Sequence, residues 1–279
     1  MESFINPSIK KQIWNGYVPV LFSMSKNEIV SKKEPGSVFL LLPRISYLPL
    51  VTNKLRTYFI PYAATLSDGM WFKFNDYVLK WNIPIGVLYD LFTTNSNEKN
   101  PVWKLTVHFQ SYPADDIIMR CDNINTVQSL YFNVLKQAVF MGYNNINCIA
   151  GLKKNDQNTL WNAVCKANYD IYLPIYKLIF TQSSSNKLKR YPVRILLQGF
   201  DPLLDLVPIQ RPVNVTETMT LNKYLMDIIP GIMIKNTENS KQISIIIQGI
   251  KMPLSVPLLW LIYNASAADC FLYILVIQH

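Results

Sequence analysis

Few residues in this sequence could do chemistry, and histidine, the commonest general base, is among the scarcest. The chain has only His108 and the terminal His279. Because the serine or cysteine nucleophile of a triad enzyme needs a histidine beside it, such triads are nearly excluded. His108 lies in an alternating apolar run over 103–109, which indicates a hydrogen-bonded residue of a sheet rather than a metal ligand.

The cysteines and carboxylates also lack the spacing that chemistry needs. The four cysteines contain no CxxC pair, and the chain is too long for a small disulfide-stapled secreted domain, so we expect no metal and no cofactor. Asp115 and Asp116 are consecutive and would not converge on one substrate, so a turn or a helix cap is the better interpretation. Glycine-rich phosphate loops and the GxSxG and HExxH motifs are absent from the sequence. The sequence therefore favours a binding protein or scaffold over an enzyme.

The composition indicates a folded chain with a large core. Half of the 279 residues are hydrophobic and only 16% are charged, which excludes intrinsic disorder. The most apolar stretch, 243–277, is interrupted by charged residues and prolines and does not reach the roughly 20 apolar residues of a membrane-spanning helix. No apolar run follows the N-terminal lysines, so no signal peptide is visible. We expect a soluble, reduced and cytosolic protein.

The net charge of +9 favours anionic partners such as a membrane surface or nucleic acid. The densest basic cluster consists of Lys187, Lys189 and Arg190. This basic cluster is either a solvated surface or a site for an anion or a membrane. In the basic and aromatic run 70–74, alternation places the aromatic rings on both faces of a strand, and core packing explains it better than nucleic-acid binding.

The N-terminal segment predicts a short helix over about 7–14. Asn6 followed by Pro7 is a helix-start signal, and Ile9 and Ile13 lie four residues apart on one face. A helix of this length is not stable alone. It must dock either on the protein's own core or on a partner.

Apolar spacing along 17–112 predicts a ubiquitin-like β-grasp, with the order strand, strand, helix, strand, strand, helix, strand. The expected strands are 17–24, 38–42, 70–74, 77–81 and 103–109, and the expected helices are 47–59 and 85–92.

The remainder of the chain predicts a helical region and then a second β-grasp. Helices are expected over 126–143, 160–166 and 169–180, with Pro174 as a break or kink, and 183–186 is the expected linker. After it, strands are expected at 193–198, 204–212, 243–248 and 271–277, with helices at 219–229, capped by Thr218, and at 257–264.

The two β-grasp halves share a weak repeat, a proline before a short apolar helix at Pro84 and Pro257. We therefore predict an α+β chain with an N-terminal helix (1–16), a first ubiquitin-like domain (17–112), a helix-rich domain (113–182) and a second ubiquitin-like domain (183–279).

Short motifs that run in order through nearly the whole chain support this organisation. They are IWNG at 13–16, LLLPR at 40–44, SYL at 46–48, KW at 80–81, PIGVL at 84–88, TVHF at 106–109, LW at 160–161, QGI at 248–250, PL at 257–258, WL at 260–261 and FL at 271–272. Each motif is weak alone, but the ordered set resembles the autophagy-related protein five family, which has two ubiquitin-like domains flanking a helix-rich domain.

The resemblance implies an acceptor lysine. In the family, one lysine in the first long helix forms an isopeptide bond with the C-terminal glycine of the ubiquitin-like autophagy-related protein 12. The matching stretch here is VLKQA at 134–138, which makes Lys136 the expected acceptor. Helical geometry agrees, because Lys136 should point away from the apolar stripe that contains Val127, Tyr131 and Ala138.

The resemblance also implies partners and a place in the cell. Autophagy-related protein 16 docks as a helix in a groove, for which we expect Ile9, Ile13 and Trp14 to supply contacts (the groove residues). The complex promotes transfer of autophagy-related protein 8 from its conjugating enzyme to phosphatidylethanolamine, so the chain is ligase-like only as part of a complex. It would be cytoplasmic, with peripheral contact at the phagophore membrane, and we expect no nucleic-acid partner.

One feature departs from the family pattern around Lys136. Phe132 and Phe140 lie four residues before and after it, beside Gln137 (together the partner patch). If exposed, they would form an apolar landing surface for protein 12 and could hold it without the covalent bond; otherwise they cover the adjoining domains. The alternative function is direct binding to an anionic membrane or nucleic acid through the basic cluster, which added salt would weaken steeply.

Overall fold

The computed structural model describes residues 6–63, 69–94, 102–114, 117–121, 123–181, 190–200, 206–211, 214–233 and 243–279. Asp115, Asp116 and the expected linker 183–186 therefore lie outside the described residues. The chain divides into two compact units, Gly16–Leu130 and a second unit made of Met1–Asn15 with Tyr131–His279. Among the residues described, each unit contains one five-stranded sheet.

The predicted N-terminal helix is confirmed as α1 (Pro7–Trp14), and the Asn6 side chain accepts a hydrogen bond from the Ile9 backbone at its start. The first unit follows with the predicted element order. Its elements are β1 (Tyr17–Met24), β2 (Val38–Pro43), α2 (Thr52–Phe59), β3 (Trp71–Phe74), β4 (Tyr77–Val78), α3 (Ile85–Thr93) and β5 (Trp103–His108).

The first sheet has the strand order β2-β1-β5-β3-β4, with β1 and β5 parallel and the other pairs antiparallel. Alternate residues of β1 are buried, and α3 is buried along most of its length. The start of α3 lies close to the end of β2, because Gly86 donates from its backbone to the Arg44 carbonyl. A Cβ at Gly86 would lie 2.8 Å from Arg44 Cβ, so only glycine allows this approach.

His108 is a partly buried sheet residue, as its alternating apolar run predicts. Its Nδ1 lies 2.9 Å from Glu28 Oε1, and the Phe109 backbone donates to the other Glu28 oxygen at 2.6 Å. Because a carboxylate only accepts, Nδ1 carries the proton. The ring stacks on Trp71 at 4.0 Å, and its buried Nε2 has no hydrogen-bond partner among the described residues. Burial lowers the pKa of His108, although the Glu28 carboxylate partly opposes the shift.

A helical region follows, with α4 (Ile124–Tyr143), α5 (Asn147–Ala150), α6 (Lys154–Cys165) and α7 (Tyr169–Thr181). The boundary between the two units falls within α4. Helix α5 was not predicted, and α6 begins six residues earlier than its apolar spacing indicates, because its first turns are polar. Of the break or kink expected at Pro174, the break is absent, because α7 continues through this residue. Pro174 is exposed, so solvent can bond the carbonyl that a proline nitrogen cannot.

The second unit repeats the β-grasp. Its elements are β6 (Val193–Gln198), β7 (Ile209–Gln210), α8 (Leu221–Ile228), β8 (Ile243–Ile247), β9 (Ile250–Lys251), α9 (Leu258–Ala265) and β10 (Leu272–Gln278). Their order in the sheet, β7-β6-β10-β8-β9, is that of the first unit. The proline repeat has a structural meaning, since Pro84 and Pro257 are the N-cap residues of α3 and α9. Thr220, not the expected Thr218, caps α8, because its side chain accepts from the Lys223 backbone.

No helix within the described ranges is both long and apolar enough to cross a membrane.

We expect His108 to titrate below its ordinary pKa of 6.5. A histidine whose pKa is lower in the folded than in the unfolded state makes its full contribution to stability above the unfolded pKa, and that contribution is lost as the pH falls from there through the lower folded pKa. Proton NMR of the ring should show the low pKa, and His108→Gln assigns the resonances because the chain has only two histidines. Titration of His108 at or above 6.5 would contradict this assignment.

Candidate functional site

Helix α4 carries Lys136 at the border between its buried and exposed sides. At about 100° per residue, the exposed residues Asn133, Gln137 and Phe140 lie on one side of the Lys136 direction. The buried residues, which are Val127, Tyr131, Phe132, Leu135, Ala138 and Val139, lie on the other. Lys136 itself is partly exposed, so its amine is accessible while the helix is packed.

The two phenylalanines of the partner patch have different environments, so they do not form the paired exposed surface that one of the two alternatives requires. Phe132 is 9% exposed and packs edge-on against Tyr131 at 5.4 Å, whereas Phe140 is 53% exposed. Four residues along a helix rotate the side-chain direction by about 40° beyond one full turn. Phe132, four residues before Lys136, is therefore rotated toward the packed side of α4, and Phe140, four residues after it, is rotated toward the exposed side. Phe132 is therefore a packing residue, and Phe140 is the exposed aromatic of the patch.

Gln137, the third residue of the partner patch, is held by Arg194 of β6. The Arg194 guanidinium donates to Gln137 Oε1, to Gln210 Oε1 and to the Tyr273 hydroxyl, each at 3.0 Å. It also lies 3.8 Å from the centre of the Phe271 ring. The exposed side of α4 is thus linked to the second sheet by one arginine that satisfies three acceptors.

A buried carboxylate supports that arginine. The Tyr273 hydroxyl donates to Asp269 Oδ2 at 2.7 Å, and the Phe271 backbone donates to Oδ1 at 3.0 Å. Burial, reinforced by the nearby Asp269 charge, raises the pKa of Tyr273 well above its usual value, so the hydroxyl keeps the proton that it donates. Sequence inspection missed this network, because its members are far apart in the chain and lie in apolar segments.

The residue before Asp269 anchors two helices. The Ala268 carbonyl accepts from the Tyr131 hydroxyl of α4 and from the Tyr172 hydroxyl of α7, both at 3.0 Å. All three groups are buried, where an unmade hydrogen bond would cost roughly 1–3 kcal/mol. These bonds fix the buried side of α4 within the second unit.

The groove residues of α1 are also unequal. Trp14 is 4% exposed, and its ring lies 4.2 Å from the Tyr172 ring and 5.6 Å from the Tyr169 ring. It therefore anchors α1. The expectation that its side chain contacts a partner does not fit this burial. Ile13 packs against the core of the second β-grasp but remains partly exposed, as does Ile9. Docking of α1 on the protein's own core accounts for the stability that a short helix lacks.

Of the basic cluster, only Arg190 lies among the described residues, and it is exposed. Lys187 and Lys189 lie outside them, so the anion-binding hypothesis stays a prediction.

Two of the described thiols, those of Cys165 and Cys270, are poor nucleophiles. The four cysteines form no disulfide within the described residues, and burial raises the pKa of Cys165 to about 11 and that of Cys270 to about 12. Since the thiolate is the reactive form, these two sulfurs are inert near neutral pH. Within the described ranges, no three or more His, Cys, Asp or Glu side chains converge as a metal site would require.

Two β-grasp sheets, with a helical bundle between them in the sequence, define an α+β protein of the class with two ubiquitin-like domains. Family models described as the UblA domain, the alpha-helical bundle region and the UblB domain of autophagy protein ATG5 match residues 13–109, 124–182 and 190–276. The chain therefore belongs to the autophagy protein 5 family, as its motifs indicate. This membership supports a role in autophagy.

Curated relatives agree with this assignment. Autophagy protein 5 of Debaryomyces hansenii is 30% identical over 96% of this chain and 94% of its own length. The proteins of the same name from Dictyostelium discoideum and Arabidopsis thaliana are 30% and 26% identical over 75% and 96% of this chain, and over 65% and 96% of their own lengths. The crystal structure of Kluyveromyces marxianus Atg5 has the same fold, with a TM-score of 0.80 at 21% identity over 97% of this chain and 99% of that one.

We expect Arg194→Met to lower the free energy of unfolding by about 2–4 kcal/mol, because it removes the donor to Tyr273 and Gln210 and a charge near buried Asp269. The matched control is Gln137→Ala, which removes one exposed bond to the same arginine and should cost less than about 1 kcal/mol. Urea unfolding followed by circular dichroism measures both changes. Equal stability of the two variants would show that the arginine is not the anchor of this network.

Proposed function

We propose that the protein is a non-catalytic scaffold that binds, or is conjugated to, the ubiquitin-like autophagy-related protein 12. With autophagy-related protein 16 it would promote the lipidation of autophagy-related protein 8 at the phagophore membrane. The observation that carries the proposal is the position of Lys136, an accessible amine on a helix whose opposite side is fixed by buried hydrogen bonds. The family membership supports the same role.

Conjugation asks little of the acceptor's surroundings. A carrier enzyme presents the C-terminal glycine of protein 12 as a thioester, and the uncharged Lys136 nitrogen attacks its carbonyl carbon. A C–N bond forms, the C–S bond breaks, and the carrier thiol leaves with the proton. The acceptor must therefore be accessible and well positioned, and a helix held on its other side provides both.

We expect a denaturing gel of the protein from its own cells to show a band shifted by one small ubiquitin-like protein. Lys136→Arg should abolish that band, because arginine keeps the charge but cannot form the isopeptide bond. Lys154→Arg, an exposed lysine on α6, is the matched control and should leave the shifted band unchanged.

A shifted band that persists in Lys136→Arg would make another lysine the acceptor. An unshifted wild-type chain from which protein 12 still co-purifies under native conditions would mean that the partner is held without a covalent bond. Contact would then depend on the exposed part of the partner patch.

For that contact we propose Phe140 and Gln137, with Phe132 acting only through the packing of α4. An exposed aromatic side chain beside the acceptor is the kind of residue on which binding energy concentrates. Gln137 is already oriented by Arg194, so it presents its amide at little entropic cost.

We expect Phe140→Ala to weaken non-covalent binding of protein 12 about tenfold, which corresponds to the loss of roughly 1.4 kcal/mol. Phe39→Ala is the matched control, since Phe39 is a phenylalanine of β2 with a similar exposure of 57% and lies in the other unit. Calorimetric titration of purified proteins measures both affinities. Unchanged affinity of Phe140→Ala would exclude it from the contact.

For protein 16 we propose that the partner helix lies along α1 and contacts Ile9 and Ile13, whose side chains remain partly exposed. Trp14 would contribute by holding α1 in place. Through these two partners the complex would engage the conjugating enzyme of protein 8 and contact the membrane peripherally, from the cytoplasm.

A further inference from the structure

A cavity of about 520 Å³ lies within the second unit, lined by residues of α1, α4, α7 and α9 and of the segments that precede β6 and β10. Leu173 and Ile262 contribute aliphatic wall, and five tyrosines contribute ring surface. This volume and lining are those of sites that hold small organic molecules, which range over roughly 300–1,000 Å³. Nothing in the proposed scaffold function uses a cavity of this kind.

The polar group that distinguishes the cavity is the amine of Lys10. Its nitrogen lies 4.2 Å from the centre of the Tyr176 ring. Among the described residues Lys10 forms no ion pair, and none of those that line the cavity is acidic. Asp170 on α7 is already paired with the next lysine, Lys11, at 2.8 Å.

The Lys10 amine is therefore a cation at an apolar cavity lining that contains no acidic side chain. Burial lowers the pKa of Lys10, which is the response of an amine that has lost water and gained no carboxylate. The Cys270 thiol also lines the cavity, but burial raises its pKa to about 12, so near neutral pH it supplies no negative charge. Lys177 adds a second cationic side chain to the lining.

We propose that this cavity binds a single-chain apolar carboxylate, with the chain between Leu173 and Ile262 and the carboxylate on the Lys10 amine. The apolar lining selects the chain, because burying it releases water from both surfaces. The unpaired ammonium selects the charge, because a carboxylate would give it a charge-assisted hydrogen bond in a place of low polarity. A neutral or cationic amphiphile of equal length gains only the burial of its chain and not the hydrogen bond to the ammonium.

The test compares three probes of one chain length with the full-length protein by isothermal titration calorimetry: dodecanoate, dodecanol and dodecyltrimethylammonium, each below the concentration at which it forms micelles. We expect dodecanoate to bind about tenfold more tightly than dodecanol, and the cation to bind more weakly than both. Lys10→Met, which keeps an apolar stem, should remove the tenfold preference and leave dodecanol within twofold. Lys10→Arg should restore it.

Two further variants keep the result interpretable. Lys11→Met removes the neighbouring charge, which does not line the cavity, and should leave all three affinities unchanged. Leu173→Trp fills the cavity and should weaken dodecanoate and dodecanol alike. Thermal unfolding of each variant confirms that it is folded.

The proposal fails if dodecanoate binds no more tightly than dodecanol, if Lys10→Met keeps the preference, or if Leu173→Trp binds as the wild type does. No partner protein is present in the titration, so this failure is separate from any failure of the conjugation proposal.

Discussion

Buried hydrogen bonds to the segment before β10 hold one side of α4. They thereby determine that the side carrying Lys136 faces away from this packing. One carbonyl, that of Ala268, accepts from two tyrosine hydroxyls on two helices. The next residue, Asp269, holds Tyr273, which in turn accepts from Arg194. Because every group in this network is buried or partly buried, each bond would be costly to leave unmade. The helix therefore has one favourable rotation, and that rotation leaves Lys136 accessible.

The same unit explains why a helix as short as α1 is stable. Its Trp14 ring packs between two tyrosines of α7, and its cap residue Asn6 donates from the backbone to Asn264 of α9 at 2.7 Å. These anchors lie at the two ends of α1, and Lys10 lies between them. An unpaired lysine would normally extend into water, but here the fixed ends of the helix hold it against the cavity. The cavity and its charge are thus consequences of how α1 docks.

The sequence predicts the periodic parts of this structure well and the contact-dependent parts poorly. Both β-grasp orders, the N-terminal helix and the long α4 follow from apolar spacing and proline signals, which act locally. The burial of Phe132 and Trp14 does not, because apolar spacing cannot say which of two similar residues faces a neighbouring element. The polar start of α6 is missed for a different reason, since its first turns carry no apolar stripe. The proposal of Lys136 as acceptor rests on the resemblance, because an exposed lysine has no distinguishing pattern.

In both β-grasp folds a proline precedes a short apolar helix, and the same physical requirement at the helix start explains both occurrences. Helices α3 and α9 each begin directly after a proline, and the first residue of each donates from its backbone to a carbonyl outside the helix, Ser46 for Ile85 and Met219 for Leu258. A helix start has backbone donors without intrahelical partners, and proline sets the entry angle without adding another. The first turn is therefore bonded across to a neighbouring segment in both halves. The weak sequence repeat reflects that constraint, and it is present although most other side chains of the two halves differ.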